Sequence, residues 1–123
     1  MRVLAYQVKM LKKINRLRVA RHFKRAYEKG QSISGRFVKI RAFHNFHTPK
    51  APAKIAVVIS KKVFSRSVDR NLWRRRAKSI MQGLIGPLNG WEIVINFNGA
   101  IKTADFPALK EDLTKCLEKL QSH

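Results

Sequence analysis

The residues with chemistry to offer in this chain are cationic. Between Ser60 and Met81 the stretch SKKVFSRSVDRNLWRRRAKSIM places eight Lys or Arg residues in twenty-two positions, against one acid, Asp69. Such a run neutralises phosphates: guanidinium forks grip them in pairs of hydrogen bonds, and an asparagine among them both donates and accepts. Lys61, Lys62, Arg66, Arg70, Asn71, Arg74, Arg75 and Lys78 are the binding candidates. An ordinary solvated charged face mixes its signs, and this one does not. The carboxylates offer little hydrolytic chemistry. Glu28, Asp69, Glu92, Asp105 and Glu118 are scattered, and the neighbours Glu111 and Asp112 would point about 100° apart on a helix. None makes a pair suited to two-metal phosphodiester hydrolysis. No catalytic side chain and no protein-borne metal site is therefore expected.

The basic run needs an element to display it. Wound as a helix, Arg70 to Leu84 puts Trp73, Ala77, Ile80, Met81 and Leu84 on one side. Asn71, Arg74, Arg75, Lys78 and Gln82 fall on an adjoining side, with Arg70 at the border. One face can enter a core while another presents a positive strip. Like charges four apart, as in Arg70 with Arg74 and Arg74 with Lys78, cost an isolated helix a few tenths of a kcal/mol each. Guanidinium groups near a helix N-terminus also oppose the macrodipole. A polyanion partner offsets both penalties.

Composition agrees. The 123 residues fit one domain, and 45% hydrophobic content supports a real core. Lys and Arg number 27 against 7 acids, a net charge of +20 that draws in polyanions and makes their binding steeply salt-dependent. No run of about 18 apolar residues exists to span a bilayer. Cys116 stands alone, which excludes an intrachain disulfide and a multi-cysteine zinc site and suits a reducing, cytoplasmic setting. Its spacing with Leu113, Leu117 and Leu120 makes it a core residue.

Residues 1–14 read as a basic arm, and residues 15–123 as the domain. Asn15 to Lys29 reads as a helix with Val19, Phe23, Ala26 and Tyr27 on one face, stopped by Gly30. Phe23 and Tyr27 are either core residues or a strip on which single-stranded bases stack. Residues 31–36 look turn-like. Phe37 to Phe43 alternates, with Phe37, Lys39, Arg41 and Phe43 on one face and Val38, Ile40 and Ala42 on the other. His44 to Pro52 is a loop whose histidines lack a carboxylate or thiol nearby in sequence. Ala53 to Ser60 is a buried strand, and Trp91 to Phe97 another. Asp105 caps a last helix with an apolar stripe of Leu109, Leu113, Cys116, Leu117 and Leu120. The expected order is αββαβα.

These motifs together resemble the protein component of bacterial-type ribonuclease P. The family's hallmark RNxxKRxxR is matched by Arg70-Asn71-Leu72-Trp73-Arg74-Arg75-Arg76-Ala77-Lys78, with Arg74 in place of the lysine and Lys78 in place of the last arginine. It follows a strand ending Ser60-Lys61-Lys62, as in the family. Upstream, Asn15-Arg16-Leu17-Arg18 and the run from His22 to Gly30 resemble the family's NRLR and DFxxxYxxG, with His22 where aspartate is common. The glycine that many members carry soon after SKK is absent, and Phe64 lies in that region. The resemblance spans roughly residues 15–121.

It implies an α/β (α+β) two-layer sandwich, a small mixed sheet with a left-handed βαβ crossover around the basic helix. It implies a protein subunit of a ribonucleoprotein that removes the 5′ leader of precursor tRNA, with catalysis and Mg²⁺ held mainly by a catalytic RNA subunit. Partners would be that RNA and the leader, with no membrane and no protein oligomer. The cationic candidates become RNA contacts. Arg16, Phe23, Tyr27 and Phe37 become residues of a leader cleft, the strand aromatic falling on Phe37 or, with a shifted gap, on Ile40. The alternative is a ribosomal or other structural RNA-binding protein of similar charge and size.

Overall fold

The computed structural model describes residues 15–17 and 20–121. Helix α1 (Ala20–Lys29) leads into strands β1 (Gln31–Ser34), β2 (Val38–His44) and β3 (Lys54–Val58). Helix α2 (Ser67–Leu84), strand β4 (Trp91–Phe97) and helix α3 (Phe106–Gln121) follow. The strands form one mixed sheet in the order β1-β2-β4-β3. β1 and β2 pair antiparallel, as do β2 and β4, while β3 runs parallel to β4. A parallel pair needs a long connection, and α2 provides it.

Alternation along the strands divides the sheet into two faces. Ile33, Val38, Ile40, Ile55, Val57, Ile93 and Ile95 enter the main core with Trp73, Ala77, Ile80 and Met81 of α2 and the predicted stripe of α3. Val94 and Ala56 point the other way and join Leu17, Phe23 and Ala26 in a smaller cluster beneath α1. The expected sandwich is thus the sheet with α2 and α3, and α1 adds cover on the second face. Asp105 caps α3 as expected, its carboxylate accepting from the amide of Ala108 at 2.9 Å.

Three local expectations change. Residues 15–17 are not part of the expected helix from Asn15 to Lys29: Arg16 bridges Ile55 and the Leu17 amide donates to the Ile55 carbonyl, so this stretch runs alongside β3, and the described helix is Ala20–Lys29, with Arg18 and Val19 outside the described residues. Residues 31–34 are a strand and not a turn, because pairing with β2 sets Ile33 opposite Ile40 and buries it. The chain enters β1 directly from α1 at Gly30, where a Cβ would lie 2.3 Å from the Ala26 carbonyl oxygen. Phe37 does not share a face with Lys39, Arg41 and Phe43. It precedes β2, is 3% exposed and lies in the main core. The cause is a carboxylate on α3: Asp112 accepts from the amides of Arg36 and Phe37, both at 2.8 Å, and fixes the turn that sends the ring inward. Ile40 is also buried in the main core, so neither residue belongs with Phe23 on the α1 face.

Candidate nucleic-acid interface

Helix α2 displays its cations because its apolar stripe is anchored. Trp73, Ala77, Ile80 and Met81 are buried, which turns Asn71 and Arg75 to solvent; Lys61, Lys62 and Arg66, in the segment before the helix, are exposed as well. Arg70, Arg74 and Lys78 are half-buried. The Arg70 guanidinium donates to the carbonyls of Phe64 and Ser65 at 2.8 and 2.9 Å, so it ties the loop after β3 to the helix. Arg74 donates to the Asn71 side-chain oxygen at 2.9 Å, which orients both. Arg66 lies 3.4 Å from Asp69, one turn on. Arg76 packs its guanidinium over Trp73, 4.6 Å from the ring centroid.

The N-terminal motif meets the edge of the sheet. Arg16 bridges Ile55 in parallel, the Leu17 amide donates to the Ile55 carbonyl at 2.9 Å, and the buried Asn15 side chain donates to the Ala53 carbonyl at 2.8 Å. This seam brings Arg16 to a groove of about 400 Å³ between α1, β3 and α2. Leu17, Phe23, Ala56, Arg74 and Lys78 line it too, and none of its described lining side chains is acidic. Burial, then the charges of Arg16 and Arg74, hold the Lys78 amine below the usual lysine range. Phe23 is half-buried in the groove wall.

Tyr27, one turn beyond Phe23, is 39% exposed. Its hydroxyl donates to the Asn96 side-chain oxygen at 3.2 Å. Arg41 donates to the Tyr27 carbonyl at 2.6 Å, with its guanidinium 5.7 Å from the ring centroid. Both rings thus lie between α1 and the second face of the sheet, partly open to solvent, and not in the main core. The structure brings Arg16, Phe23, Arg74 and Lys78 together; Phe37 lies apart from them.

Sequence reasoning treated Glu92 as one of several scattered acids. It is a buried carboxylate on the α1 face of β4, gripped from both sides of Arg25: Nε donates to Oε1 at 3.2 Å and Nη2 to Oε2 at 2.5 Å. His22 Nε2 stands 3.9 Å from Oε2, and the Arg25 guanidinium lies 5.2 Å from the centroid of the Phe43 ring. An acid inside an apolar strand, WEIVINF, was the available signal. Among the described residues no three His, Cys, Asp or Glu side chains cluster to hold a metal ion.

A family model, Ribonuclease P, matches residues 11–121. The chain belongs to the ribonuclease P protein family. It is the protein subunit of the ribonucleoprotein endoribonuclease that processes precursor tRNA, and as such partners the ribonuclease P RNA. The ribonuclease P protein component of a Pseudanabaena species is 30% identical over 111 residues, 89% of this chain and 94% of that one. That of a Picosynechococcus species is 32% identical, covering 87% and 90%. The solved ribonuclease P protein of Staphylococcus aureus superposes with a TM-score of 0.77 at 19% identity, covering 88% of this chain and 96% of that one. The Thermotoga maritima ribonuclease P protein gives 0.70 at 22%, covering 85% and 96%, and both share this fold. The family match begins inside the segment expected as a basic arm; residues 1–14 lie outside the described residues. No described helix is long and apolar enough to cross a membrane.

Proposed function

We propose that within this ribonucleoprotein the chain contributes binding and no chemistry of its own. The exposed cations Lys61, Lys62, Arg66 and Arg75, with Asn71 and the partly engaged Arg70, Arg74 and Lys78, neutralise phosphates of RNA. The single-stranded 5′ leader lies along α1, where Phe23 and Tyr27 offer ring faces to its bases and Arg16 adds charge. The observation that carries this is a groove walled by Phe23 in which every charged lining side chain described, Arg16, Arg74 and Lys78, is a cation. Mg²⁺ belongs with the RNA subunit in this reading. Among the described residues no three His, Cys, Asp or Glu side chains are placed to hold it. The protein works as a monomer in the compartment where precursor tRNA is made.

The test adds purified protein to a bacterial ribonuclease P RNA at limiting Mg²⁺ and follows leader cleavage. Addition should accelerate cleavage, and protein without RNA should leave the precursor intact. Cleavage by RNA-free protein, or no acceleration, would overturn the proposal.

A further inference from the structure

The hallmark cations divide in space. Arg75, Lys61 and Lys62 are exposed, whereas Arg74 and Lys78 turn toward α1 and form one wall of the groove whose other wall holds Phe23. Arg16, on the edge of β3, joins them. Three cations converge here with no acid in the described lining, and burial first, then the charges of Arg16 and Arg74, lower the affinity of Lys78 for its proton. One phosphodiester among them offsets part of that charge. The groove also offers backbone. In the parallel bridge the Ile55 carbonyl points outward to Leu17, so by alternation Val57, two residues on, turns its amide and carbonyl the same way, into the groove it lines.

We propose that Arg74 and Lys78, with Arg16, bind the substrate: they hold a phosphodiester of the single-stranded leader next to a base stacked on Phe23. This rests on the leader-binding reading above and deepens it. The hallmark helix then has two customers. Its outward cations hold the RNA subunit, and its groove-facing cations hold the precursor. The space available, about 400 Å³, admits a nucleotide of single strand and no duplex.

The test compares wild type with Lys78→Gln and Lys78→Met in holoenzyme assembled on a bacterial ribonuclease P RNA. Wild-type acceleration of leader cleavage is checked first, so that failure of the general reading shows before any variant is scored. Three affinities are then measured: protein for RNA subunit, and holoenzyme for precursor tRNA and for mature tRNA. Loss of one charged contact should weaken precursor binding on the order of tenfold, leaving the other two within about twofold. Amine-reactive labelling of wild-type holoenzyme gives a readout that does not depend on a variant folding. Lys78 should be protected by precursor and not by mature tRNA. Equal loss for precursor and mature tRNA, weakened assembly with the RNA subunit, unchanged affinities, or protection by the RNA subunit alone would each overturn the assignment.

Discussion

Replacing Glu92 with alanine should unfold the α1 face of the molecule before it touches any RNA contact. The carboxylate is 6% exposed and takes two hydrogen bonds from Arg25, whose side chain is 30% exposed. Breaking a fully buried pair by removing one partner costs about 3–5 kcal/mol, because the survivor is left charged and dry. Arg25 keeps some access to water, which lowers the expected cost to about 2–3 kcal/mol. For a domain of this size that is a fall of roughly 8–12 °C in Tm. Loss of an acid also raises the net charge of +20 by one and adds long-range self-repulsion. The two contributions separate by salt. Melting at about 0.1 M and about 0.5 M salt screens the long-range part and leaves the contact part. The control is a double-mutant cycle with Arg25→Met, which should return a coupling energy above about 1 kcal/mol. A deficit that vanishes at the higher salt, or a cycle without coupling, would show that the pair does not hold α1 to the sheet.

Other outcomes follow from the same contacts. Asn15→Ala removes a buried donor and orphans the Ala53 carbonyl, so it should cost about 1–3 kcal/mol by denaturant melting. Arg75→Ala, on an exposed residue clear of the groove lining, should reduce the salt slope of RNA-subunit binding by about one, read from log K against log salt. The Cys116 thiol is pushed up to about 11 by burial and by Asp112, and should resist iodoacetamide at pH 8 in the folded chain and react on unfolding. With its ordinary value near 9, its contribution to stability is full below that pH and gone as pH rises through about 11. Melting across that window after Cys116→Ala should show a shallower alkaline decline than wild type.

Helical periodicity was the most legible signal. The spacing of Trp73, Ala77, Ile80 and Met81, and of Leu109 to Leu120, named buried faces that packing then used, because one amphipathic stripe needs only one core. The hallmark cations were legible as types, since their number and single sign require a polyanion. Their division between groove and outer surface was not, because it depends on where α1 and the edge of β3 lie. Strand β1 carries one apolar residue, Ile33, so no local pattern announces it and only pairing with β2 makes it a strand. Phe37 misled through its phase: Asp112, 75 residues further along the chain, holds its amide and ends the alternation. Arg25 and Glu92 are 67 residues apart and fit no motif, so their union is visible only in the fold.

The seam of Asn15, Arg16 and Leu17 along β3 works as a selvedge on a woven cloth. It finishes part of an outer border that would otherwise hang open to any passing strand. A chain trimmed to begin at α1 would keep both helices of the main core and the whole sheet, yet present raw β edge beside the groove. Its failure would be stickiness between copies, with the loss of RNA affinity following behind.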